Sequence, residues 1–140
     1  MDCGLIWCGD ARRFAAQIPR RCTCRGQANL ITLRARDILK QMRNAALDAS
    51  IFVERMEKAE FLVDKRTQQA VIMSLVIIGE AATKIMDRHA DVAQAHHNIS
   101  WRSMRGMRNR IAHGYSEIKL NLVWETVRVE LPQLDQILLG

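Results

Sequence analysis

From Leu30 onward the apolar positions recur at helical spacing rather than in strand-like alternation. Ala35, Leu39, Met42, Ala46 and Val53 stand three, four or seven residues apart, with Arg34, Arg36, Lys40 and Arg43 around them. This pattern predicts a first long amphipathic helix over residues 30–55. A short helical or looped piece follows over 56–65, and a second long helix over 66–89. Residues 71–78 of that helix are apolar at every position except Ser74. A helix that is apolar nearly all round belongs at the centre of a bundle.

Residues 91–98 read as a polar connection. Ser100 suits the N-cap of a third helix over 101–112, its hydroxyl free to accept from first-turn amides. Gly114 then falls where a left-handed residue closes a helix. Asn121 reads as the N-cap of a last helix that carries Leu122, Val123, Trp124, Val127, Leu131, Leu134 and Leu138 on one stripe. Pro132 lies inside it and is expected to kink or tighten it. Several helices with short links predict an all-α fold, an antiparallel helical bundle.

Composition agrees with this. Of 140 residues, 49% are hydrophobic and 26% charged, which excludes a disordered chain. Only 7 Gly and 2 Pro occur, too few for the many turns of an all-β fold. The apolar run at 71–78 is too short to span a bilayer, so no membrane insertion is expected. The net charge is +6, and the first 28 residues contribute half of it, with five Arg against two Asp. Arg outnumbers Lys by 16 to 5. That bias suits bidentate phosphate contacts, and a GC-rich genome produces it equally well.

Residues 1–28 form a distinct segment. They hold all four Cys (Cys3, Cys8, Cys22, Cys24) and the pairs Arg12-Arg13 and Arg20-Arg21, with Pro19 and Gly26 as punctuation. Residues 10–18 suit a short amphipathic helix. The Cys spacings, C-x4-C and C-x-C, differ from the paired C-x2-C of zinc ribbons. Without a signal-like apolar region before them, the thiols are expected to be reduced in a cytoplasmic protein. The domain reading is a poorly ordered extension over 1–28 and a helical domain over 29–140.

The chemically dense stretch is W-R-S-M-R-G-M-R-N-R-I-A-H-G-Y, residues 101–115. It carries Arg102, Arg105, Arg108 and Arg110, no acid, His113, and the only Tyr of the chain, Tyr115. Arg102, Arg105 and Arg108 stand three apart and form a row along one helix flank. Asn109 and His113 share a face. Arg108 and His113 are five residues apart, about 140° round an ideal helix. Both can address one ligand only if the helix ends near His113 or if the site lies between two chains. Arg with His suits cleavage of an RNA phosphodiester. Histidine can take the proton of a ribose 2′-hydroxyl. Arginine can hold the phosphate as negative charge builds up. No metal or cofactor is needed when the 2′-hydroxyl attacks. On spacing alone, an Arg-rich helix that ends in His is more often a solvated face, with His favouring the negative helix end.

The segment R-N-R-I-A-H-G-Y resembles the R-x4-H-x-Y signature of HepT-like toxins, a branch of the HEPN superfamily. Arg108, Asn109, His113 and Tyr115 stand at its positions. I-I-G-E-A-A at residues 77–82 resembles the family's central helix. I-S-W-R-S-M-R-G-M-R-N-R resembles the approach to its signature, and L-N-L-V-W-E-T-V with L-P-Q-L its last helix. The likeness spans roughly residues 31–140, with its segments in order. It implies a HEPN bundle that forms a homodimer, with two Arg–His pairs in a cleft between protomers. It also implies a metal-independent endoribonuclease toxin acting on tRNA or mRNA. The implied partner is a nucleotidyltransferase antitoxin of the MntA type, and Tyr115 is the matching position for adenylylation. The reading from another class is a non-catalytic HEPN module, a docking or nucleotide-binding subunit of a nucleotidyltransferase.

Among the remaining residues, Glu80 follows the apolar run and is expected to point inward to Arg108 or Arg105, or else to lie on a polar stripe. Asn109 is expected to orient His113 or to contact the sugar. His89 reads as a capping or surface residue, and His96 and His97 as a solvated loop. Met73, Met86, Met104 and Met107 read as core packing. Trp101 and Trp124 read as bundle-filling, with base stacking as the other possibility.

Overall fold

A computed structural model describes residues 25–139, with side chains from Leu30 onward. The extension over 1–24, with its four Cys and the helix expected at 10–18, lies outside the described residues. The chain forms α1 (Arg25–Phe52), α2 (Lys58–Val63), α3 (Lys65–Arg88), α4 (Ala90–Ala95) and α5 (Trp101–His113). A 3-10 turn (Tyr115–Glu117) leads to α6 (Leu120–Glu125), a π turn (Thr126–Glu130) and α7 (Leu131–Leu139). No strand occurs among the described residues, so the all-α expectation holds.

Helix α3 is the centre. It packs against α1 on one side and α5 on the other, while α7 closes on α1. Small residues on α1 (Ala45, Ala46, Ala49) let α3 approach closely, and Met42 fills the seam without exposure. Val71, Leu75, Ile78, Ala82 and Ile85 of α3 meet them, with Val123, Val127, Leu131 and Leu134 from the last helices. By length and composition α3 resembles a membrane-crossing helix, with mean hydropathy 1.5 over 18 residues, and half of that window is buried inside the bundle. Its N-terminus is capped by Asp64, which accepts from the Arg66 amide at 3.1 Å. The Thr67 hydroxyl also donates to Asp64 and holds its carboxyl below its usual pKa. An ion pair of 2.6 Å between Arg43 and Asp135 ties α1 to α7.

Several local expectations are revised. Helix α1 is already formed at Arg25, the first described residue, rather than from Leu30, because Gly26 costs only about 1 kcal/mol inside a helix and does not stop it. Of residues 91–98, expected as a polar connection, 91–95 belong to α4. The Trp101 Nε1–H donates to the carbonyls of Ala93 and His96, both at 3.1 Å, and so fixes the end of that turn. Ser100 precedes α5, but its hydroxyl makes no cap bond. Gly114 closes α5 with φ −148°, not in the left-handed region. Asn121 lies within α6, which is preceded by Lys119. Met73 is exposed rather than packed. His89 takes the capping position between α3 and α4, as one of its two readings has it, and is buried rather than at the surface.

The helix before Pro132 is widened rather than tightened. Proline offers no amide, and its ring crowds the carbonyl four residues earlier, here that of Arg128. The chain answers by widening into the π turn just before it, where the Leu131 amide reaches back to the Thr126 carbonyl. Trp124 rests on Phe61 at 5.3 Å between ring centroids, with the Arg128 guanidinium 5.5 Å above it.

Among the described glycines, the tightest surroundings are at Gly79. A Cβ built there would stand 2.3 Å from the Arg108 Cβ and 2.7 Å from the Met104 carbonyl oxygen. Neither atom is the free end of a flexible chain, so α5 must shift to admit a methyl group. Gly79→Ala is therefore expected to destabilise the fold by about 1–3 kcal/mol despite the better helix propensity of alanine. Urea unfolding checks this. A variant as stable as the parent would show that α5 does not sit as described.

Candidate active site

The functional stretch is carried by α5, and α3 decides where it sits. Because Gly79 has no side chain, the stem of Arg108 lies directly on α3. The next residue, Glu80, then meets the guanidinium, with Glu80 Oε2 3.1 Å from Arg108 Nη2. Arg108 Nη1 donates to Asn109 Oδ1 at 3.1 Å. Two nitrogens are thereby engaged on one edge of the fork, and the guanidinium keeps further donors for a ligand. Glu80 is half-exposed rather than inward-pointing, at 40% of its side chain against 36% for Arg108. A pair this exposed adds little stability, so its effect is to orient.

Asn109 is bonded to Arg108, and no hydrogen bond joins it to His113 among the described residues. Arg105 does not share Glu80. Its Nη2 lies 2.7 and 2.8 Å from the two oxygens of Asp87, one helical row further along α3. Of the arginine row, Arg108 and Arg105 thus have acidic partners on α3, while Arg102 and Arg110 have none among the described residues. His113 is the last residue of α5 and is exposed. Tyr115 follows in the 3-10 turn, 54% exposed. With α5 continuous from Trp101 to His113, Arg108 and His113 point about 140° apart.

Two residues of this arrangement escape the sequence reading. Gly79 had a signal, a lone glycine in the interior of an apolar helix, which often marks close backbone approach. Asp87 had none, because its partner lies eighteen positions away on another helix. Trp101 is buried and hydrogen-bonded within the bundle, while Trp124 is half-buried against Phe61. Among the described residues no three metal-ligating side chains converge.

Comparison with known proteins now adds to this geometry. The family described as "Ribonuclease HepT-like" matches residues 38–139. A protein of Thermococcus cleftensis named "Probable ribonuclease HepT" is 35% identical over 99 residues, covering 71% of this chain and 87% of its own length. Two proteins of Methanocaldococcus jannaschii, named as candidate RNases, are each 34% identical. One match covers 71% of this chain and 77% of the relative, the other 69% and 74%. No solved structure matches. The matched span takes in the end of α1, all of α3, and the Arg108–His113 stretch with its flanks. The chain belongs to the HepT-like ribonuclease family.

Proposed function

We propose that this protein is a metal-independent endoribonuclease that cuts RNA with Arg108 and His113 in a cleft between two copies of the chain. His113 takes the proton of a ribose 2′-hydroxyl, whose oxygen then attacks the adjacent phosphorus. The bond from phosphorus to the 5′-oxygen breaks, that oxygen receives a proton, and a 2′,3′-cyclic phosphate remains. Arg108 stabilises the charge that builds on the non-bridging oxygens. Glu80 and Asn109 position Arg108, and Arg105 adds to the cationic row.

The observation that carries this reading is the disposition of the signature itself. Arg108 is anchored with donors to spare, His113 has no side-chain partner among the described residues, and one helix aims them apart. A second copy resolves the divergence. The outer face of α3 supports such a pairing. Met73 is 58% exposed, Val76 and Ile77 are half-buried, and Glu80 continues the same stripe two turns from Met73. A partner helix laid on that apolar strip would bring its own signature beside Glu80 and Arg108. We extend the proposal to biology as the family resemblance implies it: a toxin acting on tRNA or mRNA, restrained by an MntA-type nucleotidyltransferase antitoxin. Tyr115, exposed two residues beyond His113, is the acceptor for adenylylation. An anionic nucleotide there would compete with RNA for the arginines.

Incubation of the purified protein with total RNA, with and without EDTA, tests the catalytic reading. Cleavage is expected in both, and Arg108→Ala or His113→Ala should each slow it by at least about 100-fold with the fold and oligomeric state unchanged. Either variant cutting at close to the parental rate would refute the assignment. Met73→Glu tests the pairing separately, because the side chain is exposed in the single chain. The variant should sediment as a folded monomer and lose cleavage. A fully active dimer would place the interface elsewhere.

A further inference from the structure

The side of α5 turned away from α3's outer face leaves a groove against α6. Two connected hollows make it up, of about 270 and 400 Å³, and they share Met107, Arg110 and Leu122. The smaller one begins at Gly114, the residue after His113, and its floor is Ile111, Ile118 and Val123. Its mouth carries Arg110, Lys119 and Glu117. Arg110 and Lys119 are exposed and have no acidic partner among the described residues.

We propose that this groove receives one nucleobase of the RNA, from a nucleotide next to the linkage that is cut. The inference rests on the ribonuclease reading and adds to it a requirement for an unstacked, single-stranded substrate. An aliphatic slot with cations at its rim matches a flat apolar ring that carries a phosphate on either side. The uncovered strip for a second copy lies on α3, where Met73 and Ile77 run into Glu80. Location makes the connection to catalysis. Arg110 and Gly114 bracket His113 in sequence, so a base seated between them fixes the position of the neighbouring phosphate relative to that side chain. Two carboxylates line the groove, Glu117 in the smaller hollow and Glu130 in the larger. Glu117, four residues after His113, offers an acceptor to an exocyclic amine and disfavours a base that presents only acceptors there.

The test uses a short single-stranded oligonucleotide with one cleavage position. An abasic residue replaces, in turn, each of the two nucleotides that flank the cut. With the parental protein, one replacement should raise KM about ten-fold, the size of one lost base contact, at little cost in kcat. Leu122→Trp, which fills the groove from its rim, should cut the intact and abasic substrates with the same raised KM. Unchanged KM for both abasic substrates with the parental protein would overturn the base slot and leave the ribonuclease reading standing. Failure to cut even the intact oligonucleotide and total RNA would remove both. A change of sedimentation in Leu122→Trp would assign the groove to a protein contact and likewise overturn the proposal.

Discussion

Everything at the functional face depends on how near α5 can come to α3. A single absent side chain, that of Gly79, sets the distance. With the Arg108 stem resting on that gap, Glu80 is the next group the guanidinium can reach. The same seating carries Arg105 to Asp87. Helix α5 is itself strongly basic, with four arginines and no acid. It can lie along the apolar central helix because that helix offers two carboxylates, Glu80 and Asp87, on its outer edge. One backbone contact therefore sets both the packing of the helix and the pairing of its charges.

The consequence is an asymmetric guanidinium. Nη2 and Nη1 of Arg108 are held by Glu80 and Asn109, and Nε has no partner among the described residues. An arginine left alone on a surface helix samples many rotamers, and ordering it on a phosphate costs entropy. Here part of that ordering is already done by neighbours at ordinary ion-pair distance. His113, by contrast, stands at the end of α5 with no side-chain partner among the described residues. Helical geometry sends the two in different directions, and no rotamer choice removes an offset of about 140° in the backbone. Within the proposed mechanism, one chain holds both reagents and does not by itself bring them together.

Much of this was legible in the sequence because it rests on local chemistry. The period of Ala35, Met42 and Ala46, and the apolar run at 71–78, predicted α1 and α3 and their central packing. The row of arginines and the R-x4-H-x-Y spacing located the functional face. What the sequence missed depends on tertiary contacts. The stretch 91–98 reads as a polar connection, yet its first five residues belong to α4, whose end the Trp101 indole fixes through the Ala93 and His96 carbonyls. Pro132 looks like a kink, and the chain absorbs it as a π turn that keeps Val127 and Leu131 on the core side. Met73 has core spacing yet faces outward, because α3 is apolar on more sides than one chain can cover. Local spacing cannot say which side a neighbour leaves open. In this chain, that uncovered side is the one the proposed pairing needs.

The central claim, that Arg108 of one copy works with His113 of another, is tested most directly by mixing two inactive proteins. Arg108→Ala and His113→Ala protomers would be unfolded together, refolded and assayed for RNA cleavage. Half of the resulting dimers pair unlike chains, and each of these holds one intact Arg–His combination across the cleft. The account predicts recovery of about a quarter of the parental activity. No recovery, in a mixture shown to contain mixed dimers, would mean that each site takes both residues from one chain, and would contradict it.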